Sequence, residues 1–313
     1  MRTSEKIAVK SSARSGWLAD LKKNKVLYLL MIPVLVYYAI FCYKPMFGAI
    51  IAFQNYSPAL GILKSQWVGL KNFEDFFSNP DFIRIFKNTI IISMTSLIFG
   101  FPAPIILALL FNEIRNEAFK RTAQTISYLP HFISMVVICG LIKQFVSNGG
   151  IIHQLITAIG GEQPGLLSNP KAFVPIYVIS GIWQEIGWGS IIYLAALSGI
   201  DQALYEAARM DGAGRFKQVL HVTIPGILPT IMTMLILRLG QIFSIGYEKI
   251  ILLYNPSIYA TSDIISTYVY RVGIANQSWS YSTAVGLFNS VLNFILVILA
   301  NYTSKRFTET SLW

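Results

Sequence analysis

Residues 205–225 read Tyr-Glu-Ala-Ala-Arg-Met-Asp-Gly-Ala-Gly-Arg-Phe-Lys-Gln-Val-Leu-His-Val-Thr-Ile-Pro, a polar and charged interval between two long apolar runs. Its first residues favour a helix, because Glu, Ala, Arg and Met have high helix propensity. The pair Asp211-Gly212 favours a sharp turn, and residues 215–222 have the spacing of a second amphipathic helix. Pro225 then opens the next apolar run. The pattern predicts two short helices joined by a turn, with too little apolar surface for a core of their own, and such an element is suited to fill a groove in another protein.

The whole chain is far more apolar than a soluble domain. Of its 313 residues, 54% are hydrophobic and 13% are charged, whereas a soluble domain carries about 25% charged residues. This composition predicts an integral membrane protein surrounded by membrane lipid. The formal net charge is +10, but the basic residues cluster beside the apolar runs, so we expect no nucleic-acid partner.

The apolar runs predict an all-α polytopic membrane protein with six transmembrane helices. The predicted spans lie at about residues 26–43, 86–111, 122–146, 173–197, 226–246 and 281–302, in a transmembrane domain of residues 26–302. Lys44 and Pro45 mark the expected end of the first span. Pro102 and Pro104 are expected to kink the second span, and Pro130 the third.

The segments between the spans are polar. Residues 1–25 form a basic leader with a short amphipathic helix expected on the membrane surface, and residues 303–313 form a short tail. Residues 199–225 connect the fourth and fifth spans, while residues 147–172 and 247–280 are predicted to be loops.

The distribution of basic residues predicts the orientation of the chain. Six spans place both termini on one side of the membrane. The segments on that side carry 15 Lys and Arg residues, whereas those on the other side carry 7. Because cytoplasmic loops are enriched in Lys and Arg, we expect both termini and residues 199–225 to be cytoplasmic.

The sequence has no pattern typical of catalysis or metal binding. Cys42 and Cys139 lie in apolar runs, and the three histidines are scattered along the chain. We find no Gly-rich loop of the kind that binds nucleotide phosphates. We therefore expect this chain to be no enzyme and to bind neither a metal nor a cofactor.

The interval of residues 205–225 resembles the EAA loop of ABC importer permeases. The family pattern is Glu-Ala-Ala, three residues, Gly, nine residues and Ile-x-Leu-Pro; here it reads Glu206-Ala-Ala, Gly212 and Val222-Thr-Ile-Pro. The resemblance implies that this loop docks into a cleft of a separate cytoplasmic ATPase, which uses ATP-Mg. The residues implied in docking are Glu206, Ala207, Ala208, Asp211, Gly212 and Pro225.

Other segments resemble the polysaccharide-type, LplB-like permeases. They are Lys44-Pro-Met-Phe-Gly, Ile242–Pro256 and Tyr281–Phe288, while Trp67–Phe77 resembles the sugar-permease branch of the family. This resemblance implies the type I ABC importer permease fold in the cell membrane of a bacterium, with a carbohydrate, and specifically an oligosaccharide, as the expected cargo. The implied partners are a second homologous permease subunit, two copies of an ABC ATPase and an extracellular solute-binding protein.

Two other functions fit the same composition. One is an ABC importer permease for a solute other than sugar. The other is an ion-coupled secondary carrier, which needs titratable groups inside the membrane and often has an inverted repeat. Glu185 is the one intramembrane carboxylate that we nominate for coupling, and the sequence shows no repeat. Dependence of uptake on ATP, or its loss with an uncoupler, distinguishes the two mechanisms.

Polar residues within the spans are candidates for contact with cargo, because unpaired polar groups are costly in a bilayer. Glu185 and Arg238 each lie about 13 residues from the cytoplasmic end of a span, or roughly 20 Å deep. We predict that they form an ion pair or line the transport pathway together; a purely structural pair is the alternative. The complete set of candidates is Glu185, Trp188, Arg238, Gln241, Asn289 and Asn293.

Overall fold

The computed structural model describes Asp20 and residues 23–161, 165–243 and 246–308. These residues are largely helical. The α-helices are α1 (Lys25–Tyr37), α2 (Lys44–Met46), α3 (Gly61–Lys64), α4 (Lys71–Phe77), α5 (Phe82–Gly100), α6 (Pro102–Glu113), α7 (Glu117–Tyr128), α8 (Met135–Val146), α9 (Ile151–Ala158), α10 (Pro170–Ser198), α11 (Gln202–Met210), α12 (Arg215–Gln218), α13 (Ile224–Leu239), α14 (Tyr247–Leu253), α15 (Tyr259–Ser262), α16 (Ile265–Tyr270) and α17 (Trp279–Thr308). Most of the predicted leader, residues 1–25, and the end of the predicted tail lie outside the described residues.

A short hairpin departs from the all-α prediction. Strands β1 (Gln54–Asn55) and β2 (Gln66–Trp67) pair antiparallel, with Gln54 opposite Trp67. The side chain of Asn72 donates to the carbonyl oxygens of Ala52 and Gln54, at 2.8 and 3.1 Å. These bonds satisfy backbone groups that a two-residue ladder leaves free.

Five helical stretches of the described residues are long and apolar enough to cross a membrane. They are Lys25–Phe53, Phe82–Glu113, Met135–Ala158, Arg215–Leu239 and Trp279–Lys305. Helix α10 contains the fourth predicted span and is 29 residues long, which is sufficient at about 1.5 Å per residue. It is not among the five, because Lys171, Gln184 and Glu185 lower its hydropathy.

The first helical stretch continues beyond its predicted end at Pro45. A π-helical turn, Tyr38–Tyr43, follows α1, and a 3₁₀ turn, Phe47–Phe53, follows α2. The change of helix type accommodates the proline ring, which clashes with the preceding turn of a regular α-helix.

The segment around Pro130 ends a helix instead of kinking one. Helix α7 stops at Tyr128, a 3₁₀ turn covers Leu129–Phe132, and Ser134 has the extended backbone angles φ −60° and ψ 147°. The predicted third span therefore consists of two helices, α7 and α8, with His131 in the break between them.

Helix α10 is the central element of the bundle and contacts α5, α6, α7 and α13. Its closest approach to α7 requires a glycine. An ideal Cβ atom at Gly187 would lie 2.0 Å from the carbonyl oxygen of Ser127. No side chain fits at that distance, so Gly187 sets the separation of the two helices.

The predicted loop of residues 247–280 is folded into the short helices α14, α15 and α16. Asp263 is fully buried there and accepts two bonds from the guanidinium of Arg271, at 3.0 and 2.7 Å. Arg84 on α5 lies 3.5 Å from the same carboxylate, and Thr267 donates to it at 2.9 Å. The Asp263 carboxylate raises the pKa of Arg271, and the cluster fixes this segment to α5.

We expect the substitution Gly187→Ala to lower the free energy of unfolding by about 1–3 kcal/mol, because it overpacks the contact between α7 and α10. Gly140→Ala on α8 is the matched control, since its Cβ atom meets nothing within 4 Å. In a Cys42→Ser background, the measurement is the temperature at which Cys139, which is 2% exposed, becomes reactive to a thiol reagent. Equal temperatures for the two variants would contradict the packing role of Gly187.

Candidate functional site

The polar segment between α10 and α13 has the predicted shape of two helices and a turn; we call residues 201–223 the coupling segment. Asp201 caps α11, and its side chain accepts the N–H of Ala203 at 2.9 Å. The turn after α11 has Gly212 at φ +74°. The N–H of Gly212 donates to the carbonyl of Arg209 at 3.0 Å, and that of Ala213 donates to Ala208 at 2.9 Å. This pair of bonds is a Schellman motif, which favours glycine at the left-handed position.

The second half of the coupling segment joins α13 without a loop. Helix α12 passes into a π-helical turn, Val219–Thr223, and α13 begins at Ile224. The hydroxyl groups of Tyr205 and Thr223 lie 3.0 Å apart, and Thr223 is buried. These contacts hold α11 against the start of α13.

The coupling segment exposes apolar side chains that nothing in the described chain covers. Met210 is 88% exposed and Phe216 is 79% exposed, and Leu204 is also exposed. Glu206 and Ala207 are exposed as well. Large apolar side chains clustered on an otherwise polar surface indicate a contact with another macromolecule.

A cavity of about 490 Å³ lies between α5, α6, α10, α13 and α14, a size within the range of about 300–1,000 Å³ that is usual for ligand sites. Its polar and aromatic lining residues are Ser93, Ser96, Phe101, Tyr177, Gln184, Glu185, Trp188, Tyr193, Arg238, Gln241, Glu248 and Lys249. Four of the six predicted pathway residues therefore line one cavity: Glu185, Trp188, Arg238 and Gln241.

Glu185 has a different partner from the one predicted. Its carboxylate lies 2.9 Å from Nδ1 of His131, and the imidazole ring stacks on Trp188 at 4.5 Å between centroids. No ion pair within 4.0 Å joins Glu185 to Arg238, so the predicted pair is wrong, although both residues line the cavity. The break between α7 and α8 brings His131 to Glu185, and the predicted continuous span gave no sign of that contact.

Asn289 and Asn293 lie on α17 outside the cavity lining. Asn293 accepts the backbone N–H of Phe243 at 3.0 Å, and Asn289 donates to the carbonyl of Phe243 at 3.2 Å. They satisfy the backbone where the chain leaves α13 at Leu239 and unwinds. The structure thus gives them a role in holding the chain, and their contact with cargo stays a prediction.

Lys249 lies inside the cavity and was not among the predicted site residues. This side chain is 5% exposed, donates to the carbonyl of Tyr177 at 3.2 Å and lies 5.0 Å from the centroid of the Tyr177 ring. Burial lowers the pKa of its ammonium to about 8, so it stays largely protonated at pH 7. The adjacent charged pair Glu248-Lys249 within an apolar run was the available signal.

Comparison with known proteins identifies the family. Residues 100–309 match the model of the binding-protein-dependent transport system inner membrane component family. The chain belongs to this family. Membership confirms the predicted ABC importer permease and its multi-pass location in a bacterial membrane, and also that the chain is a transport subunit and no enzyme.

Individual relatives extend the similarity beyond the family region. The permease is 49% identical to Protein LplB of Bacillus subtilis (strain 168), over 95% of this chain and 94% of that protein. It is 44% identical to the polygalacturonan/rhamnogalacturonan transport system permease protein YteP of the same organism, over 98% of this chain and 96% of that protein.

A solved structure supports the fold of the permease. One chain of a bacterial alginate ABC transporter, crystallised in complex with an alginate pentasaccharide-bound periplasmic protein, superposes with a TM-score of 0.87 at 42% identity. The match covers 95% of this chain and 100% of that chain. The permease therefore has the type I ABC permease fold.

We expect Gly212→Ala to destabilise the turn of the coupling segment by about 1–2 kcal/mol, because alanine is strained at a positive φ. Gly214→Ala is the control, since this residue has φ −68° and a Cβ atom there meets nothing within 4 Å. Hydrogen–deuterium exchange in lipid nanodiscs should show roughly 5- to 30-fold faster exchange of the Gly212 and Ala213 amides in the first variant. Similar exchange in both variants would argue against the turn geometry.

Proposed function

We propose that this permease is one of two homologous membrane subunits of an ATP-driven importer and crosses the membrane six times, with both termini in the cytoplasm. Helix α10 would be the fourth crossing. Its length is sufficient, and two of the polar residues that lower its hydropathy lie inside the protein: Glu185 bonds His131, and Gln184 is buried at the cavity. Polar groups placed in this way do not meet lipid.

The coupling segment is the proposed contact with a cytoplasmic ATPase, two copies of which would serve the importer and bind ATP-Mg. The observation that carries this assignment is an exposed apolar surface, Leu204, Met210 and Phe216, on a segment with the EAA spacing. Glu206 is exposed beside it and available to a basic residue of the partner. The predicted topology places this surface on the cytoplasmic side.

A carbohydrate, and specifically an oligosaccharide, is the proposed cargo, delivered by an extracellular solute-binding protein. Relatives of the permease are named for polysaccharide transport, and one was crystallised with a saccharide-bound periplasmic protein. The cavity combines Trp188 and Tyr193 with the amides of Gln184 and Gln241. Aromatic rings stack on the apolar faces of sugars and amides bond their hydroxyl groups, which suits a saccharide better than a purely apolar solute.

The two alternatives make different predictions about energy supply and cargo. A secondary carrier is disfavoured by family membership and by the carboxylate of Glu185, which is bonded to His131. A solute other than sugar would share the coupling segment and differ only in the cavity. Uptake assays therefore discriminate between cargo classes, whereas ATPase binding does not.

Cysteine accessibility tests the topology. In a Cys42→Ser background, we expect Leu63→Cys to react with an impermeant thiol reagent added outside intact cells, because Leu63 is 99% exposed and lies on the predicted outer side. Met210→Cys should react only after the membrane is permeabilised. Labelling of Met210→Cys from outside would overturn the proposed orientation.

Substitution of the exposed apolar surface tests ATPase docking. We expect Met210→Gln to reduce the amount of ATPase that copurifies by about tenfold, equivalent to about 1.4 kcal/mol, because a central apolar contact is lost. Glutamine is a good helix former, so α11 should persist. Leu63→Gln is the control, since it removes an equally exposed apolar side chain on the opposite side.

Membrane vesicles that contain the wild type or one of these two variants report the mechanism of transport. Uptake of a labelled oligosaccharide, measured with the solute-binding protein present, should stop without ATP and continue with an uncoupler. Uptake should fall in Met210→Gln and stay at the wild-type level in Leu63→Gln. Equal copurification of the ATPase with both variants would count against docking at this surface, and loss of uptake with the uncoupler would favour a secondary carrier.

A further inference from the structure

Lys249 is a buried cation with no acidic side chain in direct contact. Its ammonium contacts the carbonyl and the ring of Tyr177, and no carboxylate of the described residues lies within 4.0 Å of it. Burial of an ammonium without a directly bonded counter-charge is unfavourable, and the charge of Glu185 offsets that burial only in part. A position of this kind in a transport protein indicates a functional role.

The bond to Tyr177 is insufficient to explain why a lysine occupies this position. Tyr177 lies inside α10, where its carbonyl is already within reach of the N–H of Gly181, four residues later. The hydrogen bond from Lys249 is therefore additional and satisfies no orphaned backbone group. Gly181 also lacks a side chain at this point, and a Cβ atom there would lie 3.5 Å from Nζ of Lys249. The ammonium therefore lies against this turn of α10, in the lining of the cavity.

The charged residues of the cavity differ in whether a charged partner lies against them. Four charged side chains of the described residues line it: Glu185, Arg238, Glu248 and Lys249. Glu185 is bonded to His131, whereas Arg238 has no ion pair among the described residues. Glu248 is exposed at the first turn of α14. Lys249 and Arg238 are therefore the two cations of the cavity that have no ion pair within 4.0 Å among the described residues.

We propose that Lys249, together with Arg238, binds a carboxylate of the cargo, so that the permease transports oligosaccharides built from uronic acid units. This inference rests on the proposed carbohydrate function and narrows it to acidic saccharides. Ammonium and guanidinium groups form strong charge-assisted bonds with carboxylates, while Trp188 and Tyr193 in the same cavity suit the sugar ring. Glu185 and Glu248 accept hydrogen bonds from hydroxyl groups of the same chain of sugars.

Equilibrium binding to the complete importer in lipid nanodiscs, without the solute-binding protein, tests the proposal. The probes are uronic acid tetrasaccharides of several types and their methyl esters, which have the same size and no charge. We expect Lys249→Met to weaken binding of the acidic probes about tenfold or more, the effect of a lost bond to a charged group. Binding of the esters should stay unchanged, and Lys249→Arg should stay within about threefold of the wild type.

Two controls separate recognition from stability. Lys143→Met removes an exposed cation on the neighbouring helix α8 that does not line the cavity, and it should bind every probe as the wild type does. If Lys249→Met fails to assemble, the salt dependence of binding to the wild-type importer tests the proposal instead. Rising salt should weaken binding of the acidic probes and leave binding of the esters unaffected.

The outcomes distinguish this inference from the proposed function. Equal binding of acidic and neutral probes, with no effect of Lys249→Met, would overturn the role of Lys249 while leaving carbohydrate transport intact. Displacement of the acidic probe by inorganic phosphate at equal concentration would also overturn it, because the site would then be a general anion site. Failure of the wild-type importer to bind or take up any saccharide would remove the proposed function itself.

Discussion

A polar group that enters the apolar interior of a membrane protein must find its partner within the protein. The bundle of this permease is arranged around that constraint. Glu185 in the middle of α10 bonds His131, and the backbone of Phe243, where α13 unwinds, bonds Asn289 and Asn293. Asp263, buried outside the spans, is matched by Arg271. In the first two cases the partners come from distant parts of the sequence, so these bonds fix the positions of helices that apolar contacts alone would leave free to slide.

Lys249 is the exception to this arrangement, and the exception is informative. Its bond to the Tyr177 carbonyl lowers the cost of burial but supplies no counter-charge. A cavity that satisfies the carboxylate of Glu185 and leaves an ammonium and a guanidinium unpaired is electrostatically incomplete. An anionic cargo completes it only while bound, which gives such a site both affinity for acidic saccharides and discrimination against neutral ones.

Local patterns in the sequence were sufficient to predict the coupling segment and most of the helices. The turn at Asp211-Gly212 depends on neighbouring residues and a left-handed glycine, so propensity and spacing predict it. The pairing of Glu185 with His131 depends on the break at Ile133 and Ser134, which a proline alone does not specify, because Pro45 and Pro102 are accommodated in helical stretches. The burial of Lys249 depends on α14 folding back onto α8 and α10, a long-range event that no window of sequence encodes.

Helix α13 connects the two functional regions physically. It begins directly after the coupling segment, where Thr223 is bonded to Tyr205, and its last turn carries Arg238 to the cavity. Its 16 residues form one continuous helix about 24 Å long, at about 1.5 Å per residue. In the proposed importer, a displacement of the coupling segment by an ATPase would therefore move Arg238 relative to Lys249, which is held on α14. Beyond α13 the chain is fixed to α17 through Phe243, so the unwound residues after Leu239 are the place where such a movement is absorbed. A cationic pair that separates when the helix moves would release its carboxylate, and this links the energy source to the release of cargo through a single helix.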